Sequence, residues 1–167
     1  MDEFIPMRDG DLRWAFPGVR DAHAAAEELQ AADGRLERIA VHLGLSAGGR
    51  LGYERCEGIT LTGVFGAVGV PGVRMAASAF VPRRCLHGRR AGPPWMVTAY
   101  IEVDCAEYGE DCGSHEILCE EEEFDDPDEA ARALAGAAGR LLGEVLARPA
   151  AYWRALPASA DLPGRHA

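Results

Sequence analysis

Val97-Thr98-Ala99-Tyr100-Ile101-Glu102-Val103 alternates apolar and other side chains without a slip, which is the period of a β-strand with one buried face. The same period recurs in both directions along the chain. Upstream it marks Val73, Met75, Ala77, Ala79 and Val81, then Ile59, Leu61, Gly63 and Phe65, then Ile39, Val41, Leu43 and Leu45. Further strands are expected over Leu51 to Cys56 and over His115 to Phe124, and a short first strand over Leu12, Trp14 and Phe16. Turn formers sit between them at Ala47-Gly48-Gly49, Pro71-Gly72 and Gly92-Pro93-Pro94.

Two helices frame this series. Val19 to Ala32 has Val19, Ala22, Ala26 and Leu29 near one face, and Asp33-Gly34 is expected to stop it. After the last strand, Asp126 suits an N-cap, Pro127 suits the first helical position, and Glu129 completes an acidic first turn against the positive helix end. Leu134, Ala138, Leu141, Leu142 and Val145 then form an apolar stripe that runs until Pro149. Tyr152, Trp153 and Leu156 read as an anchor packed on the body.

The reading is an α+β fold, with a single antiparallel meander of about six strands packed against an N-terminal helix and a long C-terminal helix. One domain over 1–157 and a mobile tail over 158–167 are expected. In element order the chain is similar to the helix-grip fold of START-like and polyketide-cyclase-like proteins, where a curved sheet wraps the last helix. The resemblance is one of element order and implies a cavity between sheet and last helix. The competing expectation is a small-molecule-binding or cyclase-like protein that uses such a cavity, lined by Trp14, Tyr53, Trp95 and Tyr100.

A chain of 167 residues with 48% hydrophobic and 26% charged residues is globular in composition. At this size folding buries roughly 70% of the unfolded surface, so stability does not require a disulfide or a metal. The first 18 residues lack the cationic and apolar runs of a signal peptide, and no apolar run is long enough for a membrane span. A cytoplasmic protein is the expectation, with its five cysteines present as thiols or metal ligands.

Charge is distributed very unevenly. Residues 91–131 hold 14 acidic side chains and no Arg or Lys, within a chain of net charge −10. Glu102, Asp104, Glu107, Glu110, Asp111, Glu120 and Glu122 are therefore the candidate contacts for a basic protein partner. A non-enzymatic binding or regulatory role, such as neutralising a toxin, suits that charge. The same acids on an edge strand also discourage unwanted sheet pairing.

The acidic stretch contains Cys105, Cys112, His115 and Cys119, the ligand types of a Cys3His zinc site. An extended His115 to Cys119 would span roughly 13 Å, too far for one ion. Cys105 and Cys119, in phase with apolar neighbours, are expected to be buried structural thiols, leaving Cys112 in a polar loop as the first to react with a thiol reagent. The basic residues Arg83, Arg84, Arg89 and Arg90 form a candidate anion-binding loop.

Several classes are excluded. The acids lack EF-hand spacing, no Gly-x-Ser-x-Gly elbow surrounds a serine, and Gly63 to Gly72 lacks the phosphate-loop pattern. Residues 38–46 resemble the first helix and turn of a helix–turn–helix. Ala47-Gly48-Gly49 would begin the recognition helix poorly, however, and the net charge opposes phosphate binding.

Overall fold

The computed structural model describes residues 12–13, 16–46, 51–53, 62–81, 95–104 and 114–158. Helix α1 (Ala22–His42) is followed by strands β1 (Gly52–Tyr53), β2 (Thr62–Val70), β3 (Val73–Val81), β4 (Trp95–Asp104) and β5 (Ser114–Phe124). Helix α2 (Pro127–Leu146), a short helix α3 (Ala150–Ala155) and a 3-10 turn (Leu156–Ala158) complete the order. The strands form one antiparallel sheet in sequence order.

The sheet has four full strands rather than about six, with β1 adding two residues beside β2. The expected strand over Ile39 to Leu45 is instead the last part of α1 and its C-cap. Leu29, Ala32, Leu36, Ile39 and Leu43 continue one buried helical stripe, whereas Val41, inward-facing in a strand, is 70% exposed. Asp33-Gly34 does not stop the helix either. The Asp33 carboxylate is buried and accepts the backbone N–H of Leu51 at 2.8 Å, so this residue ties the helix to the entry of β1. Leu12 and Arg13 are helical as well, and Phe16 N–H donates to the Leu12 carbonyl at 2.7 Å, four residues back.

The hairpin between β2 and β3 turns on Pro71 and Gly72, where Gly72 has φ +79. This is the residue pair a type II turn asks for.

Strand alternation separates two faces. Val64, Val68, Met75, Ala77, Ala79, Val97, Ala99, Ile101 and Val103 join one buried core with the apolar stripes of both long helices. Helix α1 lies over β2, and α2 over β3, β4 and β5. The start of α2 follows the sequence reading: Asp126 is the N-cap, its side chain accepting from Asp128 N–H at 3.1 Å, with Pro127 next. The anchor is also found, with Trp153 and Leu156 buried and Trp153 Nε1 donating to the Val145 carbonyl at 3.0 Å.

The two long helices run parallel, stitched at both ends and in the middle. At the N-terminal end Asp128 accepts the backbone N–H groups of Arg20 and Asp21, each at 2.9 Å, while the Arg20 guanidinium pairs with Asp126. Midway, Arg35 donates to the Ala135 carbonyl. At the C-terminal end His42 Nε2 donates to the Arg148 carbonyl at 2.7 Å, and Arg154 donates to the carbonyl of Leu43, the C-cap of α1. Partial burial pushes the Asp128 carboxyl up, but the two amide bonds and the Arg20 charge outweigh it and hold the group below its ordinary value of 3.8.

The tail beyond Ala158 lies outside the described residues. Among the described residues no helix is long and apolar enough to cross a membrane.

Candidate functional site

The sheet face opposite α1 and α2 carries the residues that fall between the core positions. Cross-strand register sets them in rows: Phe65, Ser78, Thr98 and Glu121; then Ala67, Ala76, Tyr100 and Cys119; then Gly69, Arg74, Glu102 and Glu116. A hollow of about 380 Å³ lies on this face. It is lined by Phe65, Phe80, Tyr100 and the Ser78–Thr98 pair, with Glu102, Glu116 and Glu121 on the same face and Glu120, opposite Ala99 and bonded to Arg140, at its border.

Ser78 and Thr98 are directly opposed and share a hydroxyl hydrogen bond of 2.6 Å. Gly63 also lines the hollow, and there a Cβ would come within 2.2 Å of the Ala79 carbonyl oxygen, so only glycine fits. At one end the Arg74 guanidinium lies 5.4 Å from the Phe65 ring centroid and 5.8 Å from that of Tyr100, within cation–π range of both. In the same row Glu102 and Glu116 are placed directly opposite each other, a like-charge pair that favours a nearby cation.

A second hollow, of about 390 Å³, lies between β5 and α2. It is lined by Val97, Ala99, Ala137, Arg140 and the acids from Glu120 to Glu122, and Arg140 Nε bonds Glu120 at 2.7 Å. The two hollows have Cys119, Glu120 and Glu121 in common, so they flank the same strand.

Of the four aromatics expected around one cavity, Trp95 and Tyr100 lie on opposite faces of the sheet. Trp95 is buried on the helix-covered face, stacked on Phe16 with centroids 4.7 Å apart, while Tyr100 faces the opposite hollow. An odd separation along one strand puts the two on different faces. Tyr53 pairs with Val64 in β1, and Trp14 lies outside the described residues. Met75, Ile101, Leu134, Ala138 and Leu141 are fully buried between sheet and helices, and the hollow found between sheet and last helix is the one beside β5, with none of the four aromatics in its lining.

The described members of the acidic set divide between the two faces of the sheet along β4 and β5. Glu102 lines the open face, Glu120 bonds Arg140, Glu122 lines the second hollow, and Asp104 ends β4 exposed. Glu107, Glu110 and Asp111 lie outside the described residues, as do Arg83, Arg84, Arg89 and Arg90 and the cysteines Cys105 and Cys112.

Cys119 is exposed on the open face and is not a core thiol. The cause is a bulge: Glu102 pairs with Glu116 and Ile101 with Leu118, so Ile117 is an extra residue and the phase read from it changes before Cys119. His115, opposite Val103, and Cys119, opposite Tyr100, thus belong to different faces of an extended strand. Local desolvation pushes the Cys119 thiol up, and the Glu116 and Glu121 carboxylates push it further. Among the described residues no group of three or more His, Cys, Asp or Glu side chains is placed to hold a metal ion.

Phe65, Arg74, Ser78, Phe80, Thr98, Glu116 and Glu121 were not legible as a site in the sequence. Their signal was the out-of-phase set of each strand, which becomes a surface only once the register is known. The chain matches no protein-family model, no curated protein and no solved structure.

Proposed function

We propose that the chain is a non-enzymatic binding module whose open sheet face receives a cationic, partly apolar group presented by a basic protein partner. The carrying observation is the aromatic-lined hollow of about 380 Å³ with three glutamates, Glu102, Glu116 and Glu121, on the same sheet face. An arginine side chain has the matching parts: an aliphatic stem for Phe65 and Phe80, and a guanidinium for the carboxylates. The chain's own Arg74, set over Phe65 and Tyr100, is an example of the chemistry this face accommodates. The one described thiol in the hollow, Cys119, is pushed away from its nucleophilic form.

The test is an NMR titration with phenethylguanidinium, a minimal cation with an apolar tail, alongside phenylpropionate as an anionic control. The cation is expected to shift Thr98 and Tyr100 resonances, and the anion is not. Affinity should fall steeply from 0.01 M to 1 M salt, as the screening length shrinks from about 30 Å to about 3 Å. The Glu116→Gln, Glu121→Gln double variant should weaken binding by about tenfold at low salt. Equal affinity for cation and anion, or binding indifferent to salt, defeats the reading.

A further inference from the structure

Strand β5 is the outermost strand of the sheet, 11 residues long, and among the described residues only β4 pairs with it. An outer edge presents a row of backbone N–H and C=O groups, a template for one more strand. Here the edge separates the two hollows: the apolar, acid-rimmed one on the open face, and the one floored by Val97, Ala99 and Ala137 beside α2.

A strand laid along this edge would send alternate side chains to opposite faces, with same-face neighbours about 6.6 Å apart. One set would enter the open-face hollow beside Glu116 and Glu121, and the other would reach the small apolar floor beside Glu122. The carboxylates decide which strand can bind. A second copy of β5 would set glutamates against glutamates, which like-charge opposition disfavours, whereas a basic strand meets them with complementary charge.

We infer that β5 is a docking edge for an extended segment of a partner protein in which arginine alternates with small apolar residues. Arginines enter the open-face hollow and the apolar residues face α2. This rests on the proposed cation-binding face and adds the backbone mode of recognition.

The experiment is calorimetry on the full chain with four capped octapeptides. The first alternates Arg and Val, and the second has the same composition as a block of Arg followed by a block of Val. The third and fourth are the alternating peptide methylated on the nitrogens of every Arg or of every Val. In an added strand only one alternate set of amides faces the edge, so one methylation removes needed donors and the other points to solvent. The alternating peptide should bind at least about tenfold tighter than the block isomer, with one methylated form losing about tenfold or more and the other staying within about threefold. Equal effects of the two methylations, whether both harmless or both harmful, overturn the inference, as does no preference over the block isomer or no binding. If phenethylguanidinium still binds in those cases, the cation-binding face stands and only the strand-docking mode falls.

Discussion

On the helix-covered face of the sheet Met75, Ala77, Ala99 and Ile101 are wholly excluded from water, while one residue further along the same strands Arg74, Thr98, Tyr100 and Glu102 lie exposed or half-buried. One backbone therefore serves two unlike environments. The covered face is governed by close packing, where each missing methylene costs both transfer energy and a cavity. Backbone pairing already holds the open face in place, so its side chains are free to carry charge and aromatic surface at little cost to the fold. The strand period of two thereby separates a packed face from one that carries charge and aromatic surface.

The largest contrast to test is stability. Leu141→Ala empties a fully buried position of α2 and should cost about 2–5 kcal/mol, whereas Phe65→Ala on the open face should cost about 1 kcal/mol or less. Urea unfolding of both variants measures this, and similar losses would mean that the open face is covered too. The second variant should still lose affinity for the cation.

A smaller effect is expected from the clasp that holds the two helices at their N-terminal ends. Because Asp128 lies below its ordinary value of 3.8 in the folded chain, its stabilisation is present above that value and is lost as pH falls through the lower folded one. Melting temperatures taken between about pH 2 and pH 6 should therefore drop less steeply in Asp128→Asn, which starts lower and lacks the charge. Parallel curves would remove Asp128 from the acid sensitivity of the covered side.

The smallest effect concerns Cys119. Its thiol should react slowly with iodoacetamide near neutral pH in the folded protein, and Glu116→Gln with Glu121→Gln should accelerate it by roughly two- to fivefold. Peptide mapping by mass spectrometry resolves it from the other cysteines. Protection that persists until the protein unfolds would instead return Cys119 to the core.

Local signals were legible and non-local ones were not. The cap at Asp126-Pro127 and the stripe from Leu134 to Val145 are contained in one segment, so α2 could be read directly; β3 and β4 announced themselves by unbroken alternation. Ile39 and Leu43, four apart, fit a helix and a strand equally, and only the exposure of Val41 decides between them. The buried carboxylate of Asp33 shows why a helix-stopping pair failed to stop: its partner, the Leu51 amide, is 18 residues away. The hollow depended on register, which sets Ser78 against Thr98, and on one bulge residue, Ile117, that no alternation pattern announces.

The parallel pairing of α1 and α2 bears on how the chain acquires its structure. Each bond between them closes a loop of 100 residues or more, and the whole meander lies in between. During synthesis α1 emerges before α2, and the apolar stripe along Leu29, Leu36 and Ile39 meets its long helical partner only once residues 127–146 have left the ribosome. Such non-local closure slows folding, because chain entropy is surrendered before the contacts that compensate for it can form. Among the described elements, nascent α1 thus keeps its apolar stripe uncovered by α2 for longest, and the bonds of Asp128 to Arg20 and Asp21 belong to the state in which it is covered.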